Sequence, residues 1–166
     1  MTTNFTVSLT AYDTKYSRYI FFKVDGKRFG DERTVKLSCN VKYDITVSVK
    51  PKGVQSLNLQ KLAIGSDEIT PDKMTEQPDR IEYSIMWFTT GYQPTKKGAR
   101  NDLRICYKFT DGELAFPVQV KFYPPSDSSH IVWGNVLKAI EAESAGNFEQ
   151  GASPYQRFPV RKITFR

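Results

Sequence analysis

Apolar and polar residues alternate with a period of two along most of this chain. Val41, Tyr43, Ile45, Val47 and Val49 alternate with Lys42, Asp44, Thr46, Ser48 and Lys50. Successive side chains on a strand point to opposite faces, so this run predicts a strand with one dry and one wet face. The same pattern recurs at Ile81, Tyr83, Ile85 and Trp87, at Leu103, Ile105, Tyr107 and Phe109, and at Leu114, Phe116, Val118, Val120 and Phe122. Weaker alternation predicts strands at about 4–11, 18–24, 27–29, 33–38, 55–64 and 155–165. Turn formers separate the runs: Asp25-Gly26, Pro51-Lys52-Gly53, Gly65-Ser66-Asp67, Gln77-Pro78-Asp79, Asp111-Gly112 and Pro124-Pro125. Asp-Gly between β-formers predicts a tight hairpin, because a type I′ turn needs positive φ at both central positions. Pro117 inside a strand predicts an edge or a bulge. Segments 96–102 and 144–154 read as loops. Short strands with regular turns predict an all-β fold, a single antiparallel barrel or sandwich in one domain over 1–166. One segment resists the pattern. Residues 136–143 are rich in helix formers and predict a short helix by propensity alone.

Composition reinforces the β reading. Aromatics make up 13% of the 166 residues, including 11 Phe and 9 Tyr, which suit half-buried pleated surfaces. There is no apolar run long enough for a membrane-spanning helix and no secretory leader pattern, which predicts a cytoplasmic protein. Cys39 and Cys106 then read as free thiols in the core. The charge is +6. Arg157, Arg161, Lys162 and Arg166 crowd one region, and Lys96, Lys97, Arg100, Arg104 and Lys108 another. Such clusters attract phosphates, acidic headgroups or acidic peptides, or form an ordinary solvated face.

Catalytic patterns are missing from the sequence. The single histidine, His130, has no metal-ligand spacing around it and no nucleophile motif. No phosphate-cradling glycine loop is present. The sequence therefore predicts no enzyme, no cofactor and no metal. Tyr107, Lys108 and Phe109 suggest base stacking, but both rings fall on the apolar side of their strand, which favours core and predicts no nucleic-acid partner.

Three ordered blocks carry a family resemblance over about residues 20–143. The first is Phe22-Lys23-Val24-Asp25-Gly26-Lys27-Arg28-Phe29-Gly30, followed by Arg33-Thr34-Val35-Lys36-Leu37 and Lys50-Pro51. The second is Pro94-Thr95-Lys96-Lys97-Gly98-Ala99-Arg100. The third is Phe109-Thr110-Asp111, Val118-Gln119-Val120-Lys121-Phe122-Tyr123, Trp133-Gly134 and Ile140-Glu141. Together they resemble the cannabinoid-receptor-interacting protein 1 family. The resemblance implies an antiparallel β-barrel of about ten strands, immunoglobulin-like and similar to the lipid-binding fold of the Rho guanine-nucleotide-dissociation inhibitors. In that fold residues 136–143 would be strand. It also implies a non-catalytic adaptor that binds the cytoplasmic tail of a cannabinoid-type G-protein-coupled receptor and dampens receptor and G-protein signalling. The alternative it implies is a carrier of an acylated tail, such as a myristoylated G-protein α subunit. Either role brings the protein to the inner face of the plasma membrane through its partners.

An acidic or phosphorylated tail needs cations at the barrel mouth. Arg80, Lys96 and Arg100 are the candidates, with Trp133 either lining the mouth or capping the core. Arg80 could equally pair with Glu82. Phe22, Ile85, Trp87, Phe116, Val118 and Val120 would line a lipid pocket, or simply fill the interior.

Overall fold

The computed structural model describes residues 2–24, 33–149 and 154–166. The described residues form fourteen strands: β1 (Thr3–Asp13), β2 (Arg18–Val24), β3 (Arg33–Ser38), β4 (Lys42–Lys50), β5 (Leu59–Ile64), β6 (Asp67–Ile69), β7 (Lys73–Glu76), β8 (Ile81–Phe88), β9 (Asn101–Phe109), β10 (Gly112–Tyr123), β11 (Asn135–Leu137), β12 (Ile140–Gly146), β13 (Gln156–Arg157) and β14 (Lys162–Phe165). The only helical turns among them are 3-10 turns at Gln55–Leu57 and His130–Val132.

Two sheets pack face to face. Sheet I runs β7-β8-β4-β1-β12-β14, and sheet II runs β6-β5-β9-β10-β3-β2-β11. They meet where β1 and β2 pair, Tyr12 with Tyr19 and Asp13 with Arg18. A continuous path of ten strands therefore links β6 to β7.

The all-β expectation holds as a sandwich. The closed barrel does not. β6 and β7 end the path without pairing with each other among the described residues. They are three and four residues long, and the chain between them steps from one sheet to the other. Large twisted sheets commonly split into two packed layers in this way. Nor is the pairing wholly antiparallel. β10 runs parallel to β3, from Gln119 opposite Thr34 to Tyr123 opposite Ser38, and parallel to β13. The long excursion from β3 through sheet I supplies the crossover that a parallel pair requires.

Alternation explains the layering. Phe5, Val7, Leu9 and Ala11 of β1, and Tyr43, Ile45, Val47 and Val49 of β4, are buried between the sheets. They face Leu103, Ile105, Tyr107 and Phe109 of β9 and the inward residues of β10. Tyr107 and Phe109 are 0% and 2% exposed, so neither ring is presented to a nucleic acid. Cys39 and Cys106 are buried free thiols. Pro117 pairs with Arg104 on one side, while its other side falls between the β13 and β3 pairings. A residue without an amide proton fits such a local edge.

Residues 136–143 are not helical. Leu137 pairs with Ile20 and Ile140 with Leu9, so tertiary pairing overrides propensity. The strand expected at 155–165 is two, divided by a segment containing Pro159. Of the loop expected at 144–154, Ser144–Gly146 instead extend β12 against β1. β6 and β7 escaped the sequence reading, being too short for alternation to show. The Asp25-Gly26 turn and the strand expected at 27–29 lie outside the described residues. Their flanks, Val24 and Arg33, are paired.

Candidate basic cleft on sheet II

The outer face of sheet II carries a cleft of about 410 Å³, within the range of ligand sites. β2, β3 and β10 form its floor through Lys23, Thr34, Lys36 and Lys121. The β8–β9 connection supplies Thr95, Lys97 and Arg100, and the β10–β11 connection supplies Asp127, His130 and Trp133. Five cations thus converge where the sequence shows only scattered wet-face lysines.

Lys36 sits at the centre. Parallel pairing sets it opposite Lys121, and antiparallel pairing sets it opposite Phe21. Its residue exposure is only 6%. The ammonium donates to the carbonyls of His130 (2.9 Å) and Trp133 and lies 5.6 Å from the Tyr123 ring centre. Burial pushes its pKa down, and the nearby charges of Lys23 and Lys121 push the same way. A buried ammonium with like neighbours marks a strongly positive local field. Lys36 also ties the β10–β11 connection to the sheet.

Asp127, also in the lining, opposes that field, its negative charge pushing the Lys36 pKa the other way. Its carboxylate accepts from the backbone N–H groups of Ser129 (3.1 Å), His130 (3.0 Å) and Ile131 (3.3 Å). Desolvation pulls its pKa up, but those N–H groups and the His130 ring outweigh it and hold the carboxyl below its ordinary value. The His130 ring meets the Trp133 indole edge-on at 4.6 Å. Trp133 remains 62% exposed, so it lines the rim and does not cap the core. Arg100 donates from Nε to the Thr34 hydroxyl (3.3 Å) and from Nη1 to the Ala99 carbonyl (2.9 Å).

Of the residues singled out in sequence, Arg100 and Trp133 come together here. Lys96 stands in the same turn as Lys97, its carbonyl accepting from Ala99 N–H (3.0 Å), with its side chain exposed outside the cleft lining. Arg80 lies elsewhere. It precedes Ile81 at the start of β8, whose next inward residue, Tyr83, bonds the Leu59 amide beside the β9–β10 turn. Arg100 precedes the opposite end of β9. Nine strand residues at about 3.3 Å each put roughly 30 Å between those ends. The Arg80 guanidinium is engaged by Glu82 (2.9 Å) and Asp79 (2.9 Å), and Asp79 also pairs with Lys50 (3.1 Å). Other cations of the second basic cluster are diverted too: Arg104 faces Glu113 (3.7 Å) and Lys108 pairs with Glu68.

Lys23, Lys36, Lys121 and His130 were not candidates, and Lys97 stood only within a basic cluster. The wet-face parity of the strand lysines was visible, but the β3–β10 register that sets Lys36 beside Lys121 was not.

The six interior candidates, Phe22, Ile85, Trp87, Phe116, Val118 and Val120, are all buried. Trp87, Val118 and Val120 border a wholly apolar void of about 40 Å³, with Leu9, Ile20 and Ile140. Phe22 packs on Phe165 (5.8 Å), Phe116 on Tyr107 (6.1 Å), and Ile85 lies in the packed core.

The family model described as CB1 cannabinoid receptor-interacting protein 1 matches residues 1–152. The rat protein of that name is 37% identical over 131 residues, covering 77% of this chain and 78% of the relative. The cattle protein matches equally, and the human one is 36% identical over the same length.

Proposed function

The chain belongs to the CB1 cannabinoid receptor-interacting protein 1 family, and from that premise we propose that it is a non-catalytic adaptor for the cytoplasmic tail of a cannabinoid-type G-protein-coupled receptor. In this reading it holds an acidic or phosphorylated stretch of the tail and dampens receptor and G-protein signalling at the inner face of the plasma membrane. The carrying observation is the cleft on sheet II, where Lys23, Lys36, Lys97, Arg100 and Lys121 surround a space whose one acid among the described residues, Asp127, is held by its own loop. Arg100 adds its positive charge to that space, and Trp133 offers a flat apolar surface to a neighbouring side chain.

The acyl-carrier reading has less support. A void of about 40 Å³ is far below the several hundred Å³ of a typical ligand pocket. An acyl chain would require the sheets to part.

The test is a titration of a phosphorylated tail peptide, and of its unphosphorylated twin, in lipid-free buffer. The phosphorylated peptide binds more tightly, and its affinity falls with salt and with Arg100→Ala or Lys97→Glu. Arg80→Ala leaves it unchanged. Equal affinity of both peptides for wild type and for the cleft variants would remove the cleft from the site.

A further inference from the structure

We propose that the outer face of sheet II docks directly on an anionic lipid bilayer, with Trp133 and Val136 touching lipid and the surrounding cations meeting its headgroups. This goes beyond attachment through a receptor or another partner, and it holds whether or not the cleft takes a tail.

The strand register builds an amphipathic surface. Val136 of β11 pairs with Phe21 of β2, Phe21 with Lys36 of β3, and Lys36 with Lys121 of β10. One outward row therefore passes from apolar to cationic, with Lys36 itself covered by the β10–β11 connection and Lys121 the more exposed charge beyond it. Val136 is 46% exposed and Trp133 is 62% exposed, and Tyr19 adds a further exposed ring on β2. Arg18 stacks on Tyr16 (4.5 Å) and reaches Phe21 (5.7 Å), which places another cation against the apolar flank. Indole rings favour the membrane–water interface, and Lys and Arg close to an anionic leaflet are attracted to it.

Among the described residues, the acids farther along this face, Glu113 and Glu68, stand against Arg104 (3.7 Å) and Lys108. Asp127 is held by its own loop. Asp13 is buried, and its carboxylate accepts from the Lys15 and Tyr16 amides. Asp102 lies at the far end of the next row, Lys23–Thr34–Gln119–Asp102. The outer face of sheet I mixes both signs, with Lys50, Lys73 and Lys162 beside its acids. Asp44, Glu82, Glu141 and Glu143 alternate with its buried residues, and Lys42 there is paired with Asp44 (3.7 Å). Sheet II is the face on which cations gather around one cleft beside exposed Trp133 and Val136, which orients it toward a negative surface.

The experiment uses the full chain and vesicles of phosphatidylcholine alone or mixed with phosphatidylserine, without peptide. Cosedimentation is expected only with phosphatidylserine and is lost at high salt. Trp87 is buried, so a blue shift in tryptophan emission reports Trp133. Trp133→Phe keeps most of the partitioning and loses the shift. Val136→Asp and Lys121→Glu weaken partitioning by about tenfold or more, while Lys73→Glu on sheet I changes it little. Circular dichroism checks that each variant is folded. Equal binding to neutral and anionic vesicles, or none to either, overturns the proposal. So does an emission shift that follows protein concentration without lipid, which would mean a second copy covers this face. Because the peptide titration is free of lipid, its outcome and this one fail separately.

Discussion

Thr89 offers a stability test whose magnitude follows from counted bonds. It is 0% exposed, just beyond β8, at the corner where the chain crosses from β3 of sheet II to β4 of sheet I. Its hydroxyl accepts from the Val41 amide (2.9 Å) and donates to the Ser38 carbonyl (2.6 Å). Thr89→Val keeps the shape and deletes the hydroxyl. A buried N–H and a buried carbonyl then lose these partners, at about 1–3 kcal/mol each. Relief from burying a hydroxyl returns part of that, leaving a net loss of about 3 kcal/mol. For a chain of this size that lowers Tm by about 6–12 °C. The denaturant midpoint should fall by the same free energy with an unchanged m-value, because the unfolded surface is the same. Thr89→Ser retains the hydroxyl and loses one methyl, so it should cost only about 1 kcal/mol. Thr89→Val melting within 2 °C of wild type (about 1 kcal/mol or less) would refute the reasoning. So would a serine variant as damaged as the valine one.

Phe158 packs against Phe5 (5.1 Å), Phe148 (5.7 Å) and Phe109 (6.2 Å), although it lies beyond the matched family region. Phe158→Ala should therefore cost about 3–5 kcal/mol in chemical denaturation; a loss under 1 kcal/mol would show that the segment merely rests on the surface. Gly134 has φ +138°, and a Cβ there would stand 2.4 Å from the Phe22 carbonyl oxygen. Gly134→Ala should strip hydrogen-exchange protection from the β11 amides and cost about 1–3 kcal/mol; unchanged protection would count against it. Burial pushes Tyr43 and Tyr92 up to about 12 and Tyr107 higher still, whereas an unfolded tyrosine ionises near 10. Their contribution to stability is full below pH 10 and is lost as pH rises through about 12, because the unfolded chain sheds protons that the fold keeps. An ultraviolet titration should show these phenols ionising late and together with unfolding; nine phenols ionising in one reversible step would contradict it.

Much of the sandwich was legible because burial on a strand follows parity. Tyr43, Tyr107 and Trp87 fell on the expected side, and Pro117 on a local edge. The resemblance outweighed propensity correctly at 136–143. What escaped was everything set by register between distant strands. Nothing in the spacing of Lys36 and Lys121 shows that they are parallel neighbours, and nothing around Arg80 shows that it lies at the other end of the sandwich from Arg100. Glu82, two residues away, was the local hint that Arg80 would be engaged. Charge clusters in sequence proved poor guides, since Lys97 and Arg100 turn into the cleft while Arg104 and Lys108 turn toward acids.

The pairing of Thr3 with Gly146 also dictates an order of events at the ribosome. β1 gains β2 at its Tyr12–Asp13 end and β4 along one side as soon as they emerge, but β12 follows about ninety residues later. At about 5–20 residues per second that is roughly 5–20 s of synthesis. Throughout it, one flank of the first strand offers unpaired amides and carbonyls to any passing strand. The nascent chain should thus depend on holding factors until its last fifth is made, and truncation before β12 should send it to aggregation.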